Sequence, residues 1–251
     1  MNISKDIKVI RALWGDSKKV LEEVPEQPLY DEYVYVWGID NYKLLVERGY
    51  QVELLDTFHT PFPSKYHTFF NKLVVFKNAV EKFNKVLFID WDCTQIKPLD
   101  NKFWQWFENK TFAAPLYCYP TDIKNHISGM NDEQKKWMYL QISMLDDYSW
   151  RYKNLSIIPN ACMVYLSDIS LCIKMIQDYR KYNMSTVEEF AMYTSIECSL
   201  DYYLQNYEIP FVFGRPDNDY FSLGELEGDF SHQLNSHIRN KVKKDIYFQH
   251  N

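Results

Sequence analysis

The sequence predicts an α/β protein in which a mainly parallel central sheet is flanked by helices within a single domain. Strand-like and helix-like segments alternate through the first half of the chain, which is typical of βαβ units. The apolar run at 86–89 ends abruptly in acidic residues, as a buried parallel strand does where its carboxyl end opens into a crevice. The chain has 251 residues, of which 46% are hydrophobic, and can therefore bury one substantial core.

The first elements of the chain are the most regular. In order, the pattern predicts a strand at 7–14, a strand at 33–37, a helix at 40–48 and a strand at 51–55. Gly49 follows the helix at the position where glycine commonly ends one.

A longer amphipathic helix is predicted at 65–83, because its apolar residues recur at three- and four-residue intervals. It leads directly into the strand at 86–89. In a right-handed βαβ unit the helix starts at the edge where the strands end. We therefore expect Lys72, in its early turns, to lie at the same edge as Asp90.

Beyond Pro98 the patterns are weaker. In order, we predict strands at 111–119, 157–166, 211–213 and 245–249, helices at 131–145 and from Ser185, and a loop at 217–229. The strand at 157–166 has a polar break at Asn160. Ser185 and Glu188 form a capping box that marks the start of the last helix.

Composition excludes several classes of protein. The net charge of −6 does not indicate a nucleic-acid or membrane-surface protein. The five cysteines are scattered and contain no Cys-x-x-Cys pair, so neither a disulfide framework nor a zinc site is expected. No segment resembles a signal peptide or a transmembrane helix. We therefore expect a soluble, cytoplasmic protein.

The acidic residues after the apolar strand indicate a metal site. Asp90 and Asp92 are one residue apart and can converge on one hard cation, Mg²⁺ or Mn²⁺, which in proteins often also binds substrate phosphates. Trp91 lies between them and, in an extended backbone, faces the other side, where we expect it to pack into the fold. The alternative is a solvated turn, since aspartate is common in turns.

Several motifs in this order resemble those of GT-A-type nucleotide-sugar glycosyltransferases, with remote similarity to the glycogenin and galactinol synthase family. They are Lys72, the strand and acidic pair at 86–92, Pro98-Leu99-Asp100, Asn160-Ala161-Cys162-Met163, Glu188-Glu189 and His250. Two positions depart from the family pattern. Cys162 stands where the family has a small glycine, and the glutamate pair replaces its Asp-Gln.

The resemblance implies a metal-dependent glycosyltransferase that moves a sugar from a nucleoside diphosphate-sugar, UDP-linked by analogy with that family, to a hydroxyl-bearing acceptor. It implies Mn²⁺ or Mg²⁺ bound by Asp90, Asp92 and His250, with His232 and His237 as competitors for the histidine ligand. Residues 1–100 would form the nucleotide-binding half and 101–251 the acceptor-binding half.

The residues suggest how a donor would bind. Lys72 can pair with the diphosphate as a point charge. Trp14 and Asp40, at the ends of the first two strands, can contact the base and ribose, although Trp14 can equally be a core aromatic and Asp40 a helix N-cap. The resemblance implies Asn160 as a further donor contact. Glu189, which the capping box leaves free, is expected to position the acceptor or stabilise the transition state.

Two other functions remain open. A sugar-phosphate nucleotidylyltransferase would share the fold and the metal, but it usually has a glycine-rich phosphate loop, and the chain has only seven glycines. A non-catalytic domain that binds a nucleotide or glycan would not need the metal. The acceptor is also open between a glycan, a lipid-linked glycan, a protein and a modified nucleic acid, for which the basic run 237–244 is a candidate contact.

Overall fold

The computed structural model describes the following residues: 6–14, 24–55, 67–95, 98–105, 107–118, 158–159, 161–183, 211–214, 216–217, 220–222 and 246–250. The strands are β1 (Lys8–Leu13), β2 (Glu32–Val36), β3 (Gln51–Leu54), β4 (Val86–Ile89), β5 (Cys93–Gln95), β6 (Phe112–Cys118), β7 (Ile158–Pro159), β8 (Met163–Leu166), β9 (Phe211–Gly214), β10 (Pro216–Asp217), β11 (Tyr220–Ser222) and β12 (Ile246–His250). The helices are α1 (Ile39–Glu47), α2 (His67–Phe83), α3 (Asn101–Gln105) and α4 (Ile169–Asn183).

The described strands form one sheet of eight and one of four. In the larger sheet the order is β3-β2-β1-β4-β8-β6-β7, and β9 pairs with β6. The first four strands of this order are mutually parallel, whereas β8 is antiparallel to both β4 and β6. The predicted α/β class with a mainly parallel sheet is confirmed. The carboxyl ends of β1, β2 and β4 consequently meet at one edge, called here the carboxyl edge.

The smaller sheet brings the end of the chain to the carboxyl edge. Its order is β10-β11-β12-β5, and β5 begins directly after the acidic pair that follows β4. In the antiparallel pairing of β12 with β5, His250 lies opposite Cys93. A residue near the C-terminus is thereby placed next to a turn more than 150 positions earlier.

Apolar layers cover both faces of the larger sheet. On one face Ile10 and Phe88 pack with residues of α2 and α4, and on the other Val9 and Leu87 pack with α3 and β12. Successive strand residues point to opposite faces, so a strand between two layers needs apolar residues at every position. This explains why all four residues of β4 are apolar and buried.

Helix α4 was not predicted from the sequence. The carboxylate of Asp168 accepts hydrogen bonds from the backbone N–H groups of Ser170 at 2.8 Å and Leu171 at 3.4 Å, as an N-terminal helix cap does. Leu171, Cys172 and Met175 face the core. The signal was therefore present as an aspartate followed by apolar residues at helical spacing, but the exposed face is polar enough to obscure it.

Other predictions need adjustment. Short strands β10 and β11 lie within or beside the segment predicted as a loop at 217–229, where antiparallel pairing with β12 overrides weak local propensity. The single strand predicted at 157–166 is instead two strands, β7 and β8, on either side of the polar break.

The predicted helices at 131–145 and from Ser185 lie outside the described residues. Within the described ranges, none of the helices combines the length and the apolar character needed to cross a bilayer.

We expect Phe88→Ala to lower the free energy of unfolding by about 3–5 kcal/mol, because it leaves a cavity between the sheet and α2. The Phe88 ring is 1% exposed and packs edge-on against Phe76, with ring centroids 5.2 Å apart. Urea denaturation measures the change. Val46→Ala, at an exposed apolar residue of α1, is the control and should change the value by no more than about 0.5 kcal/mol.

Candidate active site

The two aspartates lie at the carboxyl edge, as predicted. The Asp90 backbone N–H donates to the carbonyl of Cys162 at 2.8 Å, which extends the pairing of β4 with β8 by one residue. The Cys93 N–H then donates back to the Asp90 carbonyl at 3.2 Å and closes a turn over residues 90–93. The side chain of Asp92 is exposed and that of Asp90 is half-buried. We call residues 90–93 the carboxylate turn.

Lys72 contacts Asp90 directly. Its Nζ lies 2.8 Å from Asp90 Oδ2 and donates to the Ala161 carbonyl at 3.1 Å. The Lys72 side chain is 10% exposed and that of Asp90 is 27% exposed, so the pair is largely shielded from water. The edge predicted for Lys72 is confirmed. By contacting both Asp90 and the Ala161 carbonyl, Lys72 fixes the orientation of the Asp90 carboxylate.

Trp91 packs into the fold, as the sequence predicted. Its indole N–H donates to the carbonyl of Ala12 at 2.8 Å, and its ring packs edge-on against Tyr50 with centroids 6.0 Å apart. The side chain between the two aspartates therefore anchors the carboxylate turn to the end of β1.

Sequence reasoning missed Arg11, which lies beneath the carboxylate turn. Its Nε lies 2.6 Å from Glu32 Oε2 and its Nη1 donates to the Asp90 carbonyl at 2.9 Å. The guanidinium carbon lies 4.6 Å from the centroid of the Trp91 ring. The available signal was an arginine within the otherwise apolar strand 9–13, since a buried charge in a sheet needs specific partners.

At the ends of β1 and β2 two tryptophans meet. Trp14 is half-buried and packs edge-on against Trp37, with ring centroids 5.6 Å apart. Asp40 is exposed in the first turn of α1. The alternative reading of Asp40 as the N-cap is wrong, because the N-cap is Gly38, whose φ of 91° suits glycine. Asp40 is thus not needed to cap the helix.

The strand that carries His250 is tied to the segment after the carboxylate turn. The Tyr247 hydroxyl donates to Asp100 Oδ1 at 2.8 Å, and the same oxygen accepts the Phe103 backbone N–H at 2.9 Å. Asp100 therefore caps α3 and anchors β12 at once. Because His250 is opposite Cys93 in the register, its backbone lies about 5 Å from the residue that follows Asp92.

Two buried thiols line the inner side of the turn. The Cys93 thiol lies 3.7 Å from the carbonyl of Cys162, and 3.9 Å from Asp92 Oδ1. Burial, together with the contact with Cys93, raises the pKa of Cys162 well above its ordinary value. Cys162 therefore stays neutral at neutral pH and adds no negative charge next to Asp90.

The remaining predicted site residues, Asn160, Glu189, His232 and His237, lie outside the described residues. Within the described part of the chain, no group of three or more His, Cys, Asp or Glu side chains converges on one point. The oxygen donors of Asp90 and Asp92 nevertheless fit a hard divalent ion by their chemistry. The position of His250 in β12 supplies a third candidate next to them.

Comparison with known proteins gives matches in structure only. No protein-family model matches the sequence, and no curated protein matches it. The glycosyltransferase GlyE of Streptococcus pneumoniae TIGR4 is 13% identical, with a TM-score of 0.41, over 82% of this chain and 44% of its own. A glycosyltransferase involved in glycosylation of the major capsid of PBCV-1 is 11% identical, with a TM-score of 0.46, over 97% of this chain and 92% of its own.

Mouse xyloside xylosyltransferase 1 is 8% identical, with a TM-score of 0.41, over 82% of this chain and 83% of its own. This chain spans less than half the length of the streptococcal protein. All three similar structures are described as glycosyltransferases or xylosyltransferases. The function proposed below is argued from this chain's own residues.

We expect the Lys72–Asp90 pair to show a coupling energy of about 1–3 kcal/mol in a double-mutant cycle, because both groups are largely shielded from water. The variants are Lys72→Met, Asp90→Asn and their combination, each measured by urea denaturation. Lys77 and Glu81 form a matched control on the same helix, with N and O 2.6 Å apart but side chains 32% and 61% exposed. Their coupling should stay below about 0.5 kcal/mol. Equal coupling in the two cycles would contradict the structural role given to Lys72.

Proposed function

We propose that the protein is a metal-dependent glycosyltransferase that transfers a sugar from a nucleoside diphosphate-sugar, UDP-linked by resemblance, to a hydroxyl-bearing acceptor. The observation that supports this best is the carboxylate turn itself. It carries two aspartates at the carboxyl edge of a mainly parallel sheet, where α/β proteins bind ligands. One aspartate is fixed by Lys72 and the other is exposed.

Asp92, Asp90 and His250 are the proposed ligands of Mn²⁺ or Mg²⁺. Asp92 is exposed and Asp90 is half-buried, and the Asp90 carboxylate is oriented by Lys72 through Oδ2. When bound, the divalent ion stabilises the negative charge that develops on the leaving diphosphate. Asp90 is also the proposed contact for the ribose.

Lys72 is the proposed contact for the diphosphate, and it has a second proposed role at Asp90. Its ammonium group contacts Asp90, so it would orient a metal ligand and would add positive charge to a site that binds an anionic donor. This charge offsets part of the repulsion between the carboxylates and an anionic donor.

The nucleoside is proposed to bind at the part of the carboxyl edge that is formed by the ends of β1 and β2. Trp14 presents a half-buried ring at the end of β1, and Asp40 presents an exposed carboxylate beyond the end of β2. An aromatic face suits a nucleobase, and a carboxylate accepts hydrogen bonds from ribose hydroxyls. Asn160, beside the β7–β8 break, is the proposed contact for the sugar. Residues 1–100 would thus bind the nucleotide.

The acceptor is proposed to bind against residues 101–251. Its hydroxyl oxygen forms a bond to the anomeric carbon of the donor sugar while the bond from that carbon to the diphosphate breaks, and the hydroxyl proton passes to the departing diphosphate. Glu189 is the carboxylate proposed to position the acceptor or to stabilise the oxocarbenium-like transition state.

A thermal-shift screen of nucleoside diphosphates and their sugars, with and without Mn²⁺, tests the class of the protein. We expect a uridine or guanosine diphosphate ligand to raise the melting temperature only when Mn²⁺ is present, because a ligand that binds only the native state stabilises it. Stabilisation that is indifferent to metal would instead indicate a non-catalytic binding domain. A response to nucleoside triphosphates and sugar phosphates would indicate nucleotidylyl transfer.

We expect Asp92→Asn to reduce sugar transfer and donor hydrolysis by at least about 100-fold, because the amide removes the charge that binds the cation. Melting temperature and donor turnover are measured on the same samples. Asp31→Asn is the matched control, because Asp31 is an exposed aspartate just before β2, at the opposite edge of the sheet. Turnover of Asp92→Asn equal to that of Asp31→Asn would sink the metal assignment.

A further inference from the structure

We propose that Arg11 is a positioning residue for the metal site, which holds the carboxylate turn in the geometry that binds the cation. This inference deepens the proposed function and rests on it. Arg11 is not among the proposed ligands of the donor or of the metal. It acts through the backbone of Asp90 and the ring of Trp91.

The carboxylate turn is fastened to the end of β1 by two hydrogen bonds that run in opposite directions. Arg11 Nη1 donates from β1 to the Asp90 carbonyl at 2.9 Å. The Trp91 indole N–H donates from the turn to the Ala12 carbonyl at 2.8 Å. Since residues 11 and 12 are adjacent in β1, the turn cannot rotate away from the sheet without breaking one of these bonds.

The Asp90 carbonyl is the point at which the turn closes. It accepts the backbone N–H of Cys93 at 3.2 Å as well as the bond from Arg11. A carbonyl oxygen has two lone pairs and can accept both donors. The guanidinium group therefore fixes the oxygen around which residues 90–93 turn, and with it the backbone from which both carboxylates extend.

Glu32 in turn fixes the guanidinium group. Its Oε2 lies 2.6 Å from Arg11 Nε, and its Oε1 accepts the Leu29 backbone N–H at 3.0 Å. The Arg11 and Glu32 side chains are 3% and 1% exposed. Both oxygens of the buried carboxylate are thus bonded, as a buried charge requires.

Stability alone does not account for this pair. A buried ion pair is often no more stabilising than apolar side chains of similar volume. Apolar residues at positions 11 and 32 could join β1 to β2 equally well, but none could donate to the Asp90 carbonyl. The planar guanidinium group can bind Glu32 through Nε, Asp90 through Nη1 and Trp91 through its face at once. These three simultaneous contacts indicate that Arg11 positions the carboxylate turn.

The test uses the donor-free protein and two measurements. The first is the dissociation constant for Mn²⁺, followed by the electron paramagnetic resonance of the free ion. The second is amide hydrogen exchange of residues 90–95, which needs no metal. In Arg11→Met we expect the dissociation constant to rise about 10-fold or more, as when supporting partners of metal ligands are removed. Exchange in 90–95 should become faster.

Two further variants separate geometry from charge and from folding. Arg11→Lys keeps the charge but cannot contact Glu32 and the Asp90 carbonyl together, so we expect it to resemble Arg11→Met. Trp91→Phe keeps an aromatic ring but removes the hydrogen bond to Ala12, and it should weaken Mn²⁺ binding in the same direction. If Arg11→Met does not fold, the Trp91→Phe variant is measured in its place. The control is Lys8→Met in the same strand, where Lys8 pairs with Asp31 at 2.5 Å at the opposite edge.

An Arg11→Met or Trp91→Phe protein that is folded and binds Mn²⁺ like the wild type would overturn the proposal, even if it were less stable. Full rescue by Arg11→Lys would overturn it too, because charge alone would then suffice. If the wild type itself does not bind Mn²⁺, the proposed function fails. Hydrogen exchange in 90–95 then decides by itself whether Arg11 positions the turn.

Discussion

The structure depends on the burial of β4 between two apolar layers. Its four residues are buried alternately against the α2 and α4 layer and against the α3 and β12 layer. Because the apolar run stops at Ile89, the chain must leave the sheet at Asp90, where polar side chains can reach water. The length of the apolar run therefore sets the position of the carboxylate turn. Lys72, Arg11 and strand β12 are all placed relative to that turn.

Two cations support the turn from opposite sides. Lys72 reaches it from α2 and contacts the Asp90 carboxylate, whereas Arg11 reaches it from β1 and contacts the Asp90 carbonyl. Lys72 thus fixes the side chain of Asp90, and Arg11 fixes its backbone carbonyl. Such fixation lowers the reorganisation needed when a cation binds, and partners of this kind commonly tune metal affinity. The buried, neutral thiol of Cys162 avoids adding a competing negative charge.

Much of this arrangement could be predicted from local patterns. The periodicity of 65–83 gave helix α2, and the right-handed crossover rule placed Lys72 at the edge of Asp90. Helix α4 was missed because its polar outer face weakens the periodic signal. Strands β10 and β11 were missed because short antiparallel strands owe more to their partners than to their own sequence. Arg11 was missed because a single charge within a strand does not reveal which distant groups it contacts.

The sequence by itself determined the α/β class, the order of the first elements and the placement of Asp90 and Asp92 at the end of a buried strand. These follow from hydrophobic periodicity, which acts over neighbouring residues. Only the tertiary structure decided that Lys72 contacts Asp90, that Arg11 supports the turn and that position 250 lies opposite Cys93. These contacts join residues 18, 79 and 157 positions apart, and local patterns carry no information on such pairings. They arise only when the strands are aligned in register within the sheets.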